Sequence, residues 1–209
     1  DIQAGSMDKA MMILNNALES NDEQIKANAI KRLEKNEEIL PEAKLTEFLN
    51  DENVYVSYVA LQIAEKRKDE NLIPAIISNL SNIKTSLQAR QTLKVYSKDF
   101  IIQSFKELLS KEDISRSLRL GIVRALREYE GHASIKILMS QLSHNDQDIY
   151  NEVIDSLLIC ARTNQLDENE LEIVANEIQK IAKKVYAMNC LLYTSDAADE
   201  RSSVDLGGR

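Results

Sequence analysis

Apolar residues recur along this chain at a constant interval of 31 residues. Four columns follow this interval, offset from one another by four, one and three positions, and Gln91 and Thr92 are their two polar exceptions. Positions spaced in this way lie on one side of an α-helix. The pattern predicts five amphipathic helices with these columns buried: Ile25, Val56, Leu87, Leu118, Ile149; Ala29, Ala60, Gln91, Ile122, Val153; Ile30, Leu61, Thr92, Val123, Ile154; and Leu33, Ala64, Val95, Leu126, Leu157.

A start signal precedes most of these helices. The residues three positions before the first column are Asp22, Asn53, Lys84, Ser115 and Asp146. All of them except Lys84 carry a side-chain oxygen that can accept a hydrogen bond from an N–H group in the first turn. Four of the five helices are therefore predicted to begin at a capping side chain.

Another helix is predicted ahead of each of these five. Its apolar positions follow the same interval, except that the fourth unit slips by two or three residues and has Leu108 and Leu109 where Lys111 would be expected. Each unit is thus a helix, a turn and a second helix, and five units run from about Asp8 to Asn164. A final amphipathic helix carries Leu171, Val174, Ile178, Ile181 and Val185 on one face. The apolar positions of the preceding helices are Leu14, Leu45, Ile76 and Leu138, and Leu18, Leu49, Leu80 and Leu142.

The period and the second-helix motif resemble those of the HEAT repeat, of the armadillo-type superhelical class. "LRLGIVRAL" matches the family pattern with Leu118, Arg119, Ala125 and Leu126, and "IKANAIKRL" matches it with Ile25, Lys26, Ala29 and Leu33. The other copies have Ser57, Gln88 and Tyr150 at the basic position. The resemblance, over about residues 8–164, implies an all-α fold, a right-handed α-solenoid of about five antiparallel helix pairs plus a C-terminal helix, because stacked pairs bury what one pair cannot.

Composition agrees with a helical protein. The 209 residues include five Gly and two Pro, which are too few chain breakers for many short strands joined by turns, and they include no Trp. The net charge is −8, and no apolar run approaches the roughly 18–20 residues that span a bilayer. We therefore expect a soluble, cytoplasmic protein with no membrane span in this chain.

The last 20 residues depart from the helical pattern. "CLLYTSDAADERSSVDLGGR", residues 190–209, resembles a translated transposon-type sequencing adapter. That resemblance implies a non-native, disordered tail. We expect residues 1–189 to be one HEAT-like domain and a fragment of a longer chain.

Basic residues are concentrated in the middle of the chain. Residues 84–127 contain ten basic and four acidic side chains, a local charge of +6. This section could dock an acidic peptide or a lipid headgroup, or it could be a solvated surface laced with ion pairs. In the resembled family the residue at Arg119 usually braces the turn of a neighbouring repeat, so it is assigned a structural role. The candidate partner-binding residues are Arg90, Lys94, Arg116, Arg124 and Arg127.

The sequence offers little catalytic chemistry. His132 and His144 lie twelve residues apart and, with Cys160, match no familiar metal spacing. Cys160 lies in the apolar run "SLLICA", which predicts a buried, inert thiol. We expect no catalytic residue, metal or cofactor. Most of Tyr55, Tyr58, Tyr96, Tyr129 and Tyr150 are expected to pack in the core or in grooves, while some could anchor a partner.

The function favoured by these features is a non-catalytic protein–protein interaction scaffold that uses an extended helical-repeat surface. Its partner would be a protein or peptide, and an acidic partner is one option. An alternative is a regulatory or assembly HEAT domain of a larger membrane or signalling protein. HEAT-like stacks also occur in alkylpurine DNA glycosylases and bilin lyases, but the absence of Trp and the negative net charge disfavour a nucleic-acid ligand. The sequence does not indicate the oligomeric state.

Overall fold

Helices make up all the regular structure in the described part of the protein. The computed structural model describes residues 12–13, 16–20, 22–33, 40–184 and 186. Short helical stretches at 12–13 and 16–18 come first, and three 3-10 helices, Glu70–Leu72, Asn79–Ser81 and Gln141–Ser143, lie between longer elements. The all-α prediction is therefore confirmed for this part. The longer helices are α1 (Glu23–Leu33), α2 (Glu42–Leu49), α3 (Val54–Arg67), α4 (Ile73–Ser78), α5 (Ser86–Leu93), α6 (Lys98–Leu109), α7 (Arg116–Leu126), α8 (His132–Ser140), α9 (Gln147–Arg162) and α10 (168–184).

Capping side chains begin four of the predicted second helices. The side chains of Asp22, Asn53, Ser115 and Asp146 each accept first-turn N–H groups at 2.8–3.3 Å. Helix α5, the exception, follows Thr85, whose hydroxyl donates to the carbonyl oxygen of Asn79 at 3.1 Å. The four capping predictions are confirmed, since each cap satisfies backbone donors that the helix itself leaves unpaired.

The main contacts between helices are those within one repeat unit or between neighbouring units. Helix α3 packs against α1, α2 and α5, and α7 packs against α6, α8 and α9. Between the third and fourth units the main contact is different, because α7 lies against the 3-10 helix Asn79–Ser81. Gly121 permits this approach: a Cβ atom at this position would lie 2.1 Å from the carbonyl oxygen of Leu80.

Three of the apolar columns form most of the inner side of the second helices. The third column, from Ile30 to Ile154, is buried at every position, and its polar member Thr92 is fully enclosed. The second column is buried except at Gln91. In the fourth column Ala64, Leu126 and Leu157 are buried and Val95 is half-buried. Side chains a repeat apart therefore contribute to one continuous apolar core.

The first column departs from the prediction at two positions. Val56 and Ile149 are buried and Leu118 is half-buried, but Ile25 is 48% exposed and Leu87 is 57% exposed. Helix α5 lacks a capping residue at position 84 and buries Gln88, Ala89, Thr92 and Leu93, a face rotated away from Leu87. Helix α1 lies in the first unit, where only one full neighbouring unit is described. The prediction that both side chains are buried is wrong for these physical reasons.

The shifted first helix of the fourth unit is present as predicted. Phe105 and Leu109 of α6 are buried, and Leu108 is half-buried. In α10, by contrast, Val174 is buried whereas Leu171 and Ile178 are exposed, because α10 is the last described element and is covered on one side. Leu14, Val185 and the tail 190–209 lie outside the described residues, as does the side chain of Leu33.

Candidate functional site

The five basic residues predicted to bind a partner lie on α5 and α7 or at their C-terminal ends. Arg90 and Lys94 both reach Glu128, with Nη1 of Arg90 at 2.6 Å from Oε1 and Nζ of Lys94 at 2.7 Å from Oε2. Arg124 and Arg127 likewise share Glu152, at 2.6 Å and 3.5 Å. The pair α5 and α7 and the pair α7 and α9 are thus bridged in the same way, each by one carboxylate that accepts from two cations.

Arg116 makes the third bridge, at the start of α7. Its Nε lies 2.6 Å from Oδ2 of Asp146, and its Nη2 also contacts Asp148. The hydrogen bonds that Arg116 donates to Asp146 and Asp148 raise the pKa of its guanidinium. The same bond from Arg116, together with backbone N–H groups, lowers the pKa of Asp146 to about 2. Asp146 therefore both caps α9 and pairs with the preceding unit.

The basic section is matched by carboxylates that follow it directly. The excess of +6 was counted over residues 84–127, whereas residues 128–152 contain five acidic side chains against Lys136 alone. Four of those five acids pair with the candidate residues. The structure therefore brings all five candidates into contacts between units, while Lys94 and Arg116 still expose about half of their side chains, at 51% and 52%. A role in binding stays a prediction.

Arg119 has the structural environment expected for it. It is 7% exposed, and its guanidinium donates to the carbonyl oxygens of Leu109 and Lys111, both at 2.9 Å, and to Oε1 of Gln141 at 3.0 Å. Arg119 therefore stabilises the turn between the two helices of its own unit, and it also contacts Gln141 of the following unit. The family resemblance pointed to a neighbouring repeat only.

Two tyrosines on α3 lie at an open groove of about 540 Å³. Tyr55 is 43% exposed and Tyr58 is 37% exposed, and Lys84 also lines the groove. Aromatic and charged side chains thus lie together at one surface, which we call the tyrosine groove. It is lined by Gln24, Glu52, Asn53, Val54, Tyr55, Tyr58 and Lys84.

The other three of the five tyrosines named in the sequence analysis are less accessible. Tyr96 and Tyr129 are buried, and burial raises the pKa of Tyr96 to about 12. Tyr150 is half-buried and donates to Glu177 at 2.8 Å, which links α9 to α10. The expectation that most of these five pack and some remain available is met. The available pair occupies repeat positions different from that of Tyr150: Tyr55 and Tyr58 lie one before and two after the first apolar column, and Tyr150 directly follows it.

The histidine and cysteine residues occupy distinct surroundings. Cys160 is buried as predicted, and burial raises the pKa of its thiol. Nδ1 of His132 lies 3.3 Å from Glu170, and ligand atoms of His132, Asp167 and Glu170 lie within 4.8 Å of one another. Asp167 and Glu170 also exchange backbone-to-carboxylate hydrogen bonds of 2.9 and 2.8 Å at the start of α10. This reciprocal cap accounts for the position of the two carboxylates.

Comparison with known proteins adds no family assignment. No protein-family model matches the chain, and no curated protein matches it significantly. Within the described residues, every helix is too short or too polar to cross a bilayer. The functional proposal therefore depends on the surfaces described above.

Proposed function

We propose that this protein is a non-catalytic protein–protein interaction scaffold of the HEAT-like class, a right-handed solenoid of about five antiparallel helix pairs, acting in the cytoplasm. Support for the stacked arrangement comes from hydrogen bonds that join residues about one repeat apart. Thr92 contacts Leu61 across 31 residues, Asn79 contacts Leu49 across 30, and Arg116 contacts Asp146 across 30. Such nearest-neighbour coupling is what a repeat array requires.

The observation that carries the binding function is the tyrosine groove. Tyr55 and Tyr58 present large, partly apolar rings to solvent beside a concave surface, and exposed tyrosines are frequent anchors in interfaces. Burial of such rings by a partner gains apolar contact area at a small cost in side-chain entropy, since a tyrosine has few rotatable bonds. Lys84 adds one positive charge to this surface.

An acidic partner would compete with carboxylates that already neutralise the basic residues. A partner carboxylate at Lys94 or Arg124 competes with Glu128 or Glu152, which hold those side chains. Exchange of one carboxylate for another gains little free energy at an exposed site. The tyrosine groove is therefore the primary binding surface in this proposal, and Arg90, Lys94, Arg116, Arg124 and Arg127 are secondary.

One observation favours the alternative of an assembly domain within a larger protein. Helix α10 exposes the apolar side chains of Leu171, Ile173 and Ile178, while that of Val174 is buried. An additional packed element would remove these apolar side chains from water. A regulatory or assembly role within a longer chain would use the same groove.

Selection of peptides from a random displayed library tests the scaffold proposal. Peptides selected on the wild-type protein should lose binding to the Tyr55→Ala/Tyr58→Ala variant and keep binding to Phe100→Ala, which removes an exposed ring from α6. Selected peptides that bind the double variant as tightly as wild type would exclude the groove. A third variant with the five basic candidates changed to Gln tests their contribution, and it should weaken acidic peptides only slightly.

A further inference from the structure

One side-chain position of the repeat contacts carboxylates in three of the five units, while Ser57 in the second unit donates to the carbonyl oxygen of Val54 and the fourth unit also lacks a carboxylate partner. This position directly follows the first apolar column, and its members are Lys26, Ser57, Gln88, Arg119 and Tyr150. Three of them contact a carboxylate of an adjoining unit or helix: Lys26 with Asp51, Gln88 with Glu65 and Tyr150 with Glu177. Arg119, which is 7% exposed, instead contacts three uncharged oxygens.

The missing carboxylate can be located by comparison with the first unit. Asp51 lies 25 residues after its partner Lys26, and the residue 25 positions after Arg119 is His144. The two have the same local geometry: Oδ1 of Asp51 accepts the N–H of Asn53 at 2.9 Å, and Nδ1 of His144 accepts the N–H of Asp146 at 3.0 Å. His144 therefore stands where the first unit has the counter-ion of its cation.

An open cavity of about 450 Å³ lies at this place. Arg119, Lys111 and His144 line it, and Glu112 is the single acidic residue in its wall. Nδ1 of His144 is an acceptor, so the ring proton lies on Nε2 and is free to donate. The remaining lining residues are Leu109, Ser110, Ser140, Gln141, Ser143 and Asn145.

The guanidinium of Arg119 retains hydrogen-bonding capacity. It has five N–H donors, of which the described contacts use two on Nη1 and one on Nη2. Nε donates to none of the described residues. The buried side-chain atoms without a hydrogen-bond partner belong to Tyr129, Ser134, Ser156 and Gln165. Nε of Arg119 is not among these buried atoms, so it is accessible to solvent. A buried cation without an opposite charge is unfavourable, and an anion in the cavity would correct this.

We propose that this cavity is a binding site for a phosphate-type oxyanion, which replaces the carboxylate that the fourth unit lacks. The free Nε–H and Nη2–H of Arg119 suit an oxyanion, because a guanidinium binds two oxygens of phosphate through parallel hydrogen bonds. Lys111 and His144 also line the cavity and add further N–H donors. The phosphate is either free in solution or carried by a phosphorylated side chain of a partner. This site is separate from the tyrosine groove and does not depend on the scaffold function.

The His144→Asp variant tests the proposal without removing Arg119, whose three hydrogen bonds support the fold. Asp at 144 can accept the Asp146 N–H as Asp51 accepts that of Asn53, and it places a carboxylate opposite Arg119. Isothermal titration with inorganic phosphate, at constant ionic strength in chloride, should show one saturable site in the wild-type protein. Phosphate should also raise the melting temperature.

In His144→Asp, phosphate binding should be at least about tenfold weaker, because the carboxylate occupies and repels the anion site. Its melting temperature without phosphate should equal or exceed that of wild type. The control Gln91→Glu adds the same charge at an exposed site in α5 and should leave phosphate binding unchanged. Absence of saturable binding to the wild-type protein, or equal binding by His144→Asp, would overturn the proposal.

A phosphoserine peptide and its unphosphorylated form distinguish the two sources. Tighter binding of the phosphopeptide than of inorganic phosphate, with loss in His144→Asp, assigns a phosphorylated partner. Equal or weaker binding of the phosphopeptide assigns free phosphate. Either result supports an oxyanion site at Arg119.

Discussion

The hydroxyl group of Thr92 donates a hydrogen bond to the backbone carbonyl oxygen of Leu61, one repeat interval earlier, at 3.2 Å. Both side chains are fully buried. Thr92 is a polar residue in an otherwise aliphatic column, and this contact satisfies its hydroxyl inside the core. Tyr96 acts similarly, with its hydroxyl 3.3 Å from the carbonyl oxygen of Ala64. The third unit is thus joined to the second by two hydrogen bonds inside the core.

Removal of the Thr92 hydroxyl should therefore destabilise the protein although it restores the apolar pattern. We expect Thr92→Val to lower the free energy of unfolding by about 1 kcal/mol, because a buried hydrogen bond is lost with little change in volume. Urea unfolding measures this. Gln91→Val, at the exposed neighbouring position, should have a much smaller effect. A Thr92→Val protein as stable as wild type would mean that the bond contributes nothing.

Gly121 provides a test of the close contact between α7 and Leu80. In an open helical position, Gly→Ala stabilises a helix by about 0.5–1 kcal/mol. Here the added Cβ would overlap the carbonyl oxygen of Leu80, so Gly121→Ala should destabilise by about 1–3 kcal/mol. Thermal or urea denaturation measures the change in stability, and its sign shows whether the overlap with Leu80 outweighs the gain in helix propensity. Ser117→Ala, at an exposed position of the same helix, is the matched control.

Asp146 gives a specific dependence of stability on pH. Its pKa is lowered to about 2 in the folded protein by the hydrogen bond from Arg116 and by backbone N–H groups. A carboxyl group with a lowered pKa stabilises the fold fully above its ordinary pKa near 4 and loses this contribution as the pH falls towards 2. Asn at this position still caps α9. The melting temperatures of wild type and Asp146→Asn should therefore differ at pH 6 and converge near pH 2; a constant difference would contradict this pairing.

Glu152 holds two cations of the preceding unit, Arg124 and Arg127, and hydrogen bonding to it raises the pKa of Arg124. We expect Glu152→Gln to cost about 1 kcal/mol or less, because ion pairs in partial contact with water contribute little. The cost should shrink in high salt, where the charges are screened. Denaturation at low and high ionic strength measures both effects. Glu168→Gln, at an exposed position of α10, should show neither.

The thiol of Cys160 should be unreactive while the protein is folded. Burial raises its pKa, and the thiolate is the reactive form. In a Cys190→Ser background, where Cys160 is the single cysteine, a thiol reagent should modify the protein at the rate of unfolding. Rapid modification of the folded protein at pH 8, compared with an unfolded sample in urea, would show that α9 opens locally.

The repeat interval, the four helix caps and the shifted fourth unit could all be predicted from the sequence. These features depend on neighbours along the chain, since helix periodicity and capping are local properties. The same reasoning failed at Ile25 and Leu87. Burial there depends on the rotation of a helix and on the presence of a neighbouring unit, and neither is a local property.

The five basic residues show the same limit for the candidate site. Their excess over residues 84–127 was correctly counted, but the four acids that pair with them lie within the next 25 residues: Glu128, Asp146, Asp148 and Glu152. Spatial pairing across one repeat interval decides whether a charge is available. A count of charges along the sequence does not show which acidic and basic side chains are close in space.

The sequence by itself determined which segments are helices and which of their faces are mainly apolar, because a spacing of three or four residues requires no knowledge of distant parts. Only the tertiary structure decided that Tyr55 and Tyr58 face solvent while Tyr96 is enclosed, and that His144 lines one cavity with Arg119 whereas Asp51 pairs with Lys26. These relationships arise when units 31 residues apart come into contact, and the free energy of each side chain then depends on the charge and shape it meets there.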